Sequence, residues 1–166
     1  MANLCLYLTI WAALALLVAA EIGKGPLVHD GRPARWARAA WMTGGALAIV
    51  HALLALAIRY QWDHALAVRD TARQGAAVYG FVGLVARDFS PAIYINYVFL
   101  ALWIALAWRW RNWWWRIFVL VMVVNGAILF ARPGARPFGA MLIALLVWAW
   151  TKRTKARVGV VESGAE

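Results

Sequence analysis

Four apolar segments of this 166-residue sequence each carry one polar side chain that could do chemistry: Thr9, His51, Asn96 and Asn125. A polar group is costly to place in hydrocarbon, and an ionisable one is a functional candidate by default. Counting along the predicted helices at about 1.5 Å per residue places His51 and Asn125 at a similar height, with Asn96 and Thr9 somewhat nearer the same surface. If all four side chains point inward, they form one polar pocket in the outer half of a helix bundle.

Two interpretations of this group stay open. A pocket roofed by Tyr94 and Tyr97 can admit a small ligand, a proton or a quinone. Alternatively, His51 and Asn125 only hydrogen-bond across helices, at about 0.6 kcal/mol each. The second interpretation is favoured because polar side chains ordinarily have that role in membrane bundles.

A second polar group lies just beyond, in "YQWDHALAVRDTARQ". On a continuous helix, Tyr60 and His64 share a face because they are four residues apart, and Asp63 and Asp70 roughly do so at seven. Tyr60, Asp63 and His64 would then form a small group that titrates near neutral pH. The favoured alternative is a solvated helix face on which Asp70 and Arg73 form a local ion pair.

Metal and enzyme chemistry have weak support in the sequence. A zinc or copper site needs three or four converging ligands, and His51 and His64 lie about 220° apart around a regular helix. Either histidine can therefore hold a metal or haem only with a ligand from a partner. Cys5, the only cysteine, excludes an internal disulfide and a CxxC pair. No motif indicates a cofactor, and with no catalytic signature present, no catalytic residue is predicted.

The elements that position these residues are predicted to be membrane helices. The chain is 65% hydrophobic, with a mean hydropathy of +0.68, and its apolar residues form long blocks. We expect residues 1–151 to form one all-α polytopic bundle, with an outer helical cap over 60–90 and a basic, then disordered, cytoplasmic tail over 152–166. The five predicted spans are about 3–21, 38–59, 91–108, 114–131 and 137–151, of which the last can alternatively be re-entrant.

Small residues indicate where these helices approach one another closely. Gly44, Ala48 and Ala52 recur every four residues on the second predicted span, and Ala101 and Ala105 do so on the third. Such spacing favours close helix packing in membranes.

Charge indicates the orientation. With the N-terminus outside, eleven of the 17 basic residues lie on the inner side and six on the outer side, as the positive-inside rule requires. Most of the 12 tryptophans fall at the predicted inner ends, and the 5 tyrosines fall in the outer half. Both patterns place the C-terminus in the cytoplasm.

The net charge of +10 can also suggest nucleic-acid binding. The segment "RWRNWWWR", residues 109–116, mixes arginine with rings that can stack on bases. Because it lies between two apolar blocks, a tight inner turn anchored in anionic headgroups explains it better. No nucleic-acid partner is expected.

His51, "YQWDHALAVRDTARQ" and "YINYVFLALW" together resemble uncharacterised small multi-span bacterial membrane proteins, over residues 50–105. The resemblance implies a bacterial cytoplasmic membrane and no particular activity. The leading expectation is a non-enzymatic accessory or assembly subunit of a larger membrane complex, or a homo-oligomer. The alternatives are a small-ligand, proton or quinone binding or transport protein, and a redox subunit that contributes a histidine to a metal or haem site.

Overall fold

A computed structural model describes residues 2–23, 35–79, 91–105, 113–129 and 131–163 of the chain. Within these ranges the secondary structure is all helical, with six α-helices and no strand. The α-helices are α1 (Ala2–Gly23), α2 (Arg35–Tyr60), α3 (His64–Tyr79), α4 (Ala92–Ala105), α5 (Trp113–Val124) and α6 (Arg136–Ser163). A π-helical stretch, Asn125–Leu129, extends α5, and a short 3-10 turn, Pro133–Ala135, precedes α6.

Helices α1 and α2 form the tightest pair and run antiparallel. Gly44 of α2 is buried, and a Cβ there would lie 3.1 Å from the carbonyl oxygen of Ala13 on α1. Ala48, one turn further on, is only 3% exposed. The predicted close approach along the small residues of α2 is therefore confirmed for Gly44 and Ala48, whereas Ala101 and Ala105 of α4 are exposed.

The remaining core lies where the other helices meet this pair. Trp41, Phe99, Trp103 and Trp115 join α2, α4 and α5 in one aromatic cluster. Helix α6 runs parallel to α1, since Trp11 packs on Phe138 and Glu21 hydrogen-bonds to Trp150. The core is thus largely aliphatic and aromatic, as expected for a helix bundle.

Three segments are long and apolar enough to cross a membrane: Leu4–Gly23, Arg35–Tyr60 and Pro133–Lys152. The apolar helices Ala92–Ala105 and Trp114–Leu129 are shorter. A full crossing of the hydrocarbon takes roughly 20 residues in a helix. The predicted third span, 91–108, also includes residues 106–108, which lie outside the described part of the chain.

The C-terminal segment differs from the expectation. The tail was predicted to be basic and then disordered from residue 159, but α6 continues to Ser163. Extending an existing helix avoids the cost of nucleating a new one, so "TKRTKAR" and the residues after it continue the helical path. Residues 164–166 lie outside the described ranges.

Candidate functional site

His51 links α2 to the first turns of α1. Its Nδ1 lies 3.0 Å from the carbonyl oxygen of Leu6 and 3.3 Å from Oγ1 of Thr9. A carbonyl only accepts, so Nδ1 must carry the proton and donate it towards both oxygens. In the neutral form of the imidazole, Nε2 is then the unprotonated nitrogen, and no partner for it is found among the described residues.

Thr9 completes this link from the other side. Its hydroxyl can donate to the carbonyl of Cys5, at 2.8 Å, or to that of Leu6, at 3.1 Å, while its oxygen accepts from His51. Both polar side chains thereby obtain partners without water. This arrangement matches the interhelical hydrogen bonding that polar residues provide in membrane bundles.

Asn96 and Asn125 are not hydrogen-bond partners of His51 in the described structure. Asn125 is half-buried and begins the π-helical stretch after α5, where one residue more per turn changes the direction of the side chains. Asn96 is exposed on α4. The predicted four-residue pocket therefore comes together only as the His51 and Thr9 pair.

The side of α4 that bears Asn96 is otherwise buried. Asn96 and Trp103 are seven residues apart, which places them within about 20° of each other around the helix. Trp103 is 1% exposed, and Ile93 and Phe99, which flank Asn96 on this side, are each 8% exposed, whereas Asn96 is exposed. Among the described residues there is thus a local opening beside Asn96.

Tyr94, Tyr97 and the cap, which were predicted to cover the pocket, come together in part. The His64 ring of α3 lies 6.0 Å from the ring centroids of both Tyr94 and Tyr97 on α4. Tyr94 is 50% exposed and Tyr97 is 37% exposed. The contact joins α3 to α4 and does not enclose a cavity around His51. Residues 80–90, the second half of the predicted cap, lie outside the described chain.

The helix does not continue through the start of the cap. Gln61 and Trp62 have φ angles of 49° and 65°, in the left-handed region that non-glycine residues seldom adopt. Asp63 then caps α3, since its Oδ1 accepts a hydrogen bond of 2.8 Å from the backbone N–H of Leu66. The predicted group of Tyr60, Asp63 and His64 on one helical face is therefore wrong, because two left-handed residues break the helix between them.

Tyr60 instead joins a network around Asp70. The Asp70 carboxylate accepts hydrogen bonds from the Tyr60 hydroxyl, at 2.7 Å, and the Gln74 amide, at 2.9 Å. Its ion pair is with Arg59, at 3.1 Å. The predicted pairing of Asp70 with Arg73 is wrong, because the break at Gln61 turns α3 back so that Asp70 faces the end of α2.

A shallow depression of about 500 Å³ lies beside this network. It is lined by Arg59, Tyr60, Leu66, Arg69, Asp70 and Arg73, and we call it the α2–α3 cleft. Three guanidinium groups surround one carboxylate there, so the cleft is cationic. Arg69 and Arg73 are exposed and form no ion pair within the part of the chain that the structure describes.

Glu21 is a buried acid that the sequence interpretation missed. It is 5% exposed, and Nε1 of Trp150 donates a hydrogen bond of 3.0 Å to its Oε2. The Arg116 guanidinium lies 5.8 Å from the Trp150 ring centroid, within cation–π range. The available signal was that Glu21 is the only acidic residue in any predicted span, but it was the last residue of its span and was treated as a boundary.

No cluster of three or more histidine, cysteine or carboxylate side chains that could hold a metal occurs among the described residues. Cys5 is a free, exposed thiol. The chain was compared with protein-family models, with curated proteins and with solved structures, and none matched.

Proposed function

We propose that this protein is a non-enzymatic, five-span integral membrane protein that acts as an accessory or assembly subunit of a larger membrane complex, or as a homo-oligomer. The three long apolar helices support membrane insertion, and the two shorter ones, Ala92–Ala105 and Trp114–Leu129, support the remaining two spans. The distribution of basic residues supports an extracytoplasmic N-terminus and a cytoplasmic C-terminus. The resemblance noted above supports a bacterial cytoplasmic membrane.

One observation carries the association: the exposed amide of Asn96 on the bundle-facing side of α4. Hydrogen bonds between membrane helices contribute about 0.6–2 kcal/mol. Asn96 lies between Tyr94 and Tyr97, which contact His64 of the cap, and a transmembrane helix of another subunit can bond to its amide there and fill the opening beside α4. The partner helix would cover the position that the buried neighbours Ile93 and Phe99 leave exposed on this side of α4.

The association can be tested with a matched pair of bulky substitutions. Asn96→Trp fills the opening, whereas Val98→Trp adds the same ring two residues later, about 160° around α4, where the side chain is 52% exposed. In mild detergent, we expect the protein mass of the wild-type particle, with bound detergent subtracted, to exceed the 18.5 kDa mass of one chain. The Val98 variant should keep that mass and the Asn96 variant should lose it. A wild-type particle of single-chain mass would contradict the proposal.

A second candidate function is binding of a small ligand, such as a quinone, at His51. It is favoured by the Nδ1 hydrogen bond to Leu6, because that bond directs the lone pair of Nε2 to an acceptor or ligand role. Ubiquinone should then raise the thermal unfolding temperature of the wild type and of Thr9→Val, but not that of His51→Ala. An equal rise in all three would exclude this site.

A redox role remains the third candidate, in which His51 or His64 completes a metal or haem site with a ligand from another subunit. The same Nε2 lone pair supports it for His51. A visible absorption spectrum and metal analysis of the purified complex test this role. A complex that contains its partner but no haem or stoichiometric metal would rule it out.

A further inference from the structure

We propose that the α2–α3 cleft binds the phosphate group of an anionic lipid headgroup. This inference does not depend on the subunit role, since the cleft lies on α2 and α3 and the opening beside Asn96 lies on α4. It assigns a ligand class to the one cationic depression described above.

The charge of the cleft is unbalanced. Arg59, Arg69 and Arg73 contribute three positive charges, and Asp70 contributes one negative charge that Arg59, Tyr60 and Gln74 already satisfy. Arg69 and Arg73 stand one turn apart on the exposed side of α3, so both guanidinium groups can reach one anion. Paired planar guanidinium groups match the oxygens of a phosphate in both charge and geometry.

The α2 side of the cleft is held in place by the same network. The Asp70 carboxylate fixes Arg59 at 3.1 Å, yet the Arg59 side chain remains 59% exposed. The Tyr60 hydroxyl anchors Asp70 from the end of α2. Asp70 therefore acts as a positioning residue for Arg59, and Arg69 and Arg73 carry the uncompensated charge.

The position of the cleft favours a lipid as the source of the phosphate. Arg59 and Tyr60 are the last two residues of an apolar helix long enough to span a membrane, which places them at the headgroup level. Leu66, which lines the cleft, is 41% exposed, and Trp62, in the turn between α2 and α3, is 63% exposed. Tryptophan at that level is typical of the membrane interface, and a lipid can cover both apolar side chains while its phosphate meets the arginines.

The test compares lipid retention by native mass spectrometry for three forms of the full chain. The cleft variant is Arg69→Gln with Arg73→Gln. The control is Arg132→Gln with Arg136→Gln, which removes the same charge outside the cleft, at side chains that contact the Tyr7 ring and the Ala131 carbonyl. With phosphatidylglycerol, the cleft variant should retain lipid about thirtyfold more weakly than wild type, because each arginine near an anionic surface contributes about a fivefold factor. The control should stay within about threefold of wild type, a margin set by the general loss of charge.

Two further measurements distinguish a lipid from a soluble anion as the source of the phosphate. Phosphatidylcholine, whose phosphate is neutralised within the headgroup, should bind the wild type weakly, and inorganic phosphate tests a soluble source. Binding of inorganic phosphate that is lost in the cleft variant supports the site with a soluble anion as its ligand. Equal weakening in cleft and control variants, or equal retention of both lipids by the wild type, would overturn the proposal. If the double variant does not fold, the single variant Arg73→Gln replaces it, and its retention of phosphatidylglycerol should be about fivefold weaker than that of wild type.

Discussion

The indoles of Trp41 and Trp103 exchange hydrogen bonds with each other's backbone. Nε1 of Trp41 donates to the carbonyl of Trp103 at 2.8 Å, and Nε1 of Trp103 donates to the carbonyl of Trp41 at 3.2 Å. The two rings also pack edge to face, with centroids 6.0 Å apart. Both residues are nearly fully buried. This reciprocal pair fixes α4 to α2.

Replacing either indole of this pair should destabilise the protein. Trp41→Phe or Trp103→Phe removes one hydrogen bond, of about 1 kcal/mol, and leaves space that the smaller ring does not fill. We expect each variant to lose about 1–3 kcal/mol of unfolding free energy in detergent, measured by denaturant titration. Trp148→Phe is the control, because Trp148 is 51% exposed and should change little. Losses equal to that of the control would show that the pair does not hold α4.

Gly139 should tolerate no side chain. A Cβ at this position would collide with the backbone carbonyl of Ala127, where α6 crosses the π-helical stretch. Gly139→Ala is therefore expected to cost about 1–3 kcal/mol of unfolding free energy. Gly126→Ala provides the comparison, since nothing lies within 4 Å of its added Cβ. Equal thermal stability of the two variants in the same detergent would contradict this contact.

The His51 link predicts an unequal pair of substitutions. Thr9→Val should cost only about 0.6 kcal/mol, because the Leu6 carbonyl still accepts the Nδ1 proton. His51→Leu should cost more, since it removes the donor to both oxygens and leaves Leu6 without this partner. Unfolding in denaturant measures both changes. If the threonine variant proved the less stable of the two, the assigned direction of the Nδ1 bond would be wrong.

The buried carboxylate of Glu21 should depend on its indole donor. Trp150→Phe keeps a ring in place but removes the N–H that lies 3.0 Å from Oε2. Removing a donor to a buried charged group costs about 1.5–3 kcal/mol. Trp148→Phe, two residues away on α6 and 51% exposed, should be nearly neutral. Thermal unfolding of both variants checks this difference. An unchanged unfolding temperature of the Trp150 variant would count against a stabilising hydrogen bond to Glu21.

Helix positions were more predictable than helix rotations. The apolar blocks placed α1, α2 and α6 within a few residues of their starts, because hydrophobic length is encoded locally. The contact of His51 with Thr9 agrees with their counted heights, but the exposure of Asn96 depends on how α4 packs against its neighbours. That packing is a tertiary property with no local signal in one sequence.

The turn between α2 and α3, at the start of the cap, shows the same limit of prediction from sequence. "RYQWDH" contains no glycine or proline, so nothing in its composition predicts left-handed conformations at Gln61 and Trp62. The predicted group of Tyr60, Asp63 and His64 depended on an unbroken helix. The predicted ion pair of Asp70 with Arg73 lies within α3, and it is absent because Asp70 pairs with Arg59 from the end of α2. Asp63, which precedes α3 as an N-cap, was the one residue that could have indicated the new helix start.

Site-specific photo-cross-linking in intact membranes tests the central claim, association through the open side of α4, most directly. A photoreactive residue replaces Ala92, one turn before Asn96 on the same side of α4, in one strain and Val98 in another, so that Asn96 is kept in both. The account predicts a discrete adduct from position 92 and none from position 98; a mass of twice 18.5 kDa would identify a second copy, and any other mass a different subunit. Adducts of equal yield from both positions, or from position 98 alone, would contradict it.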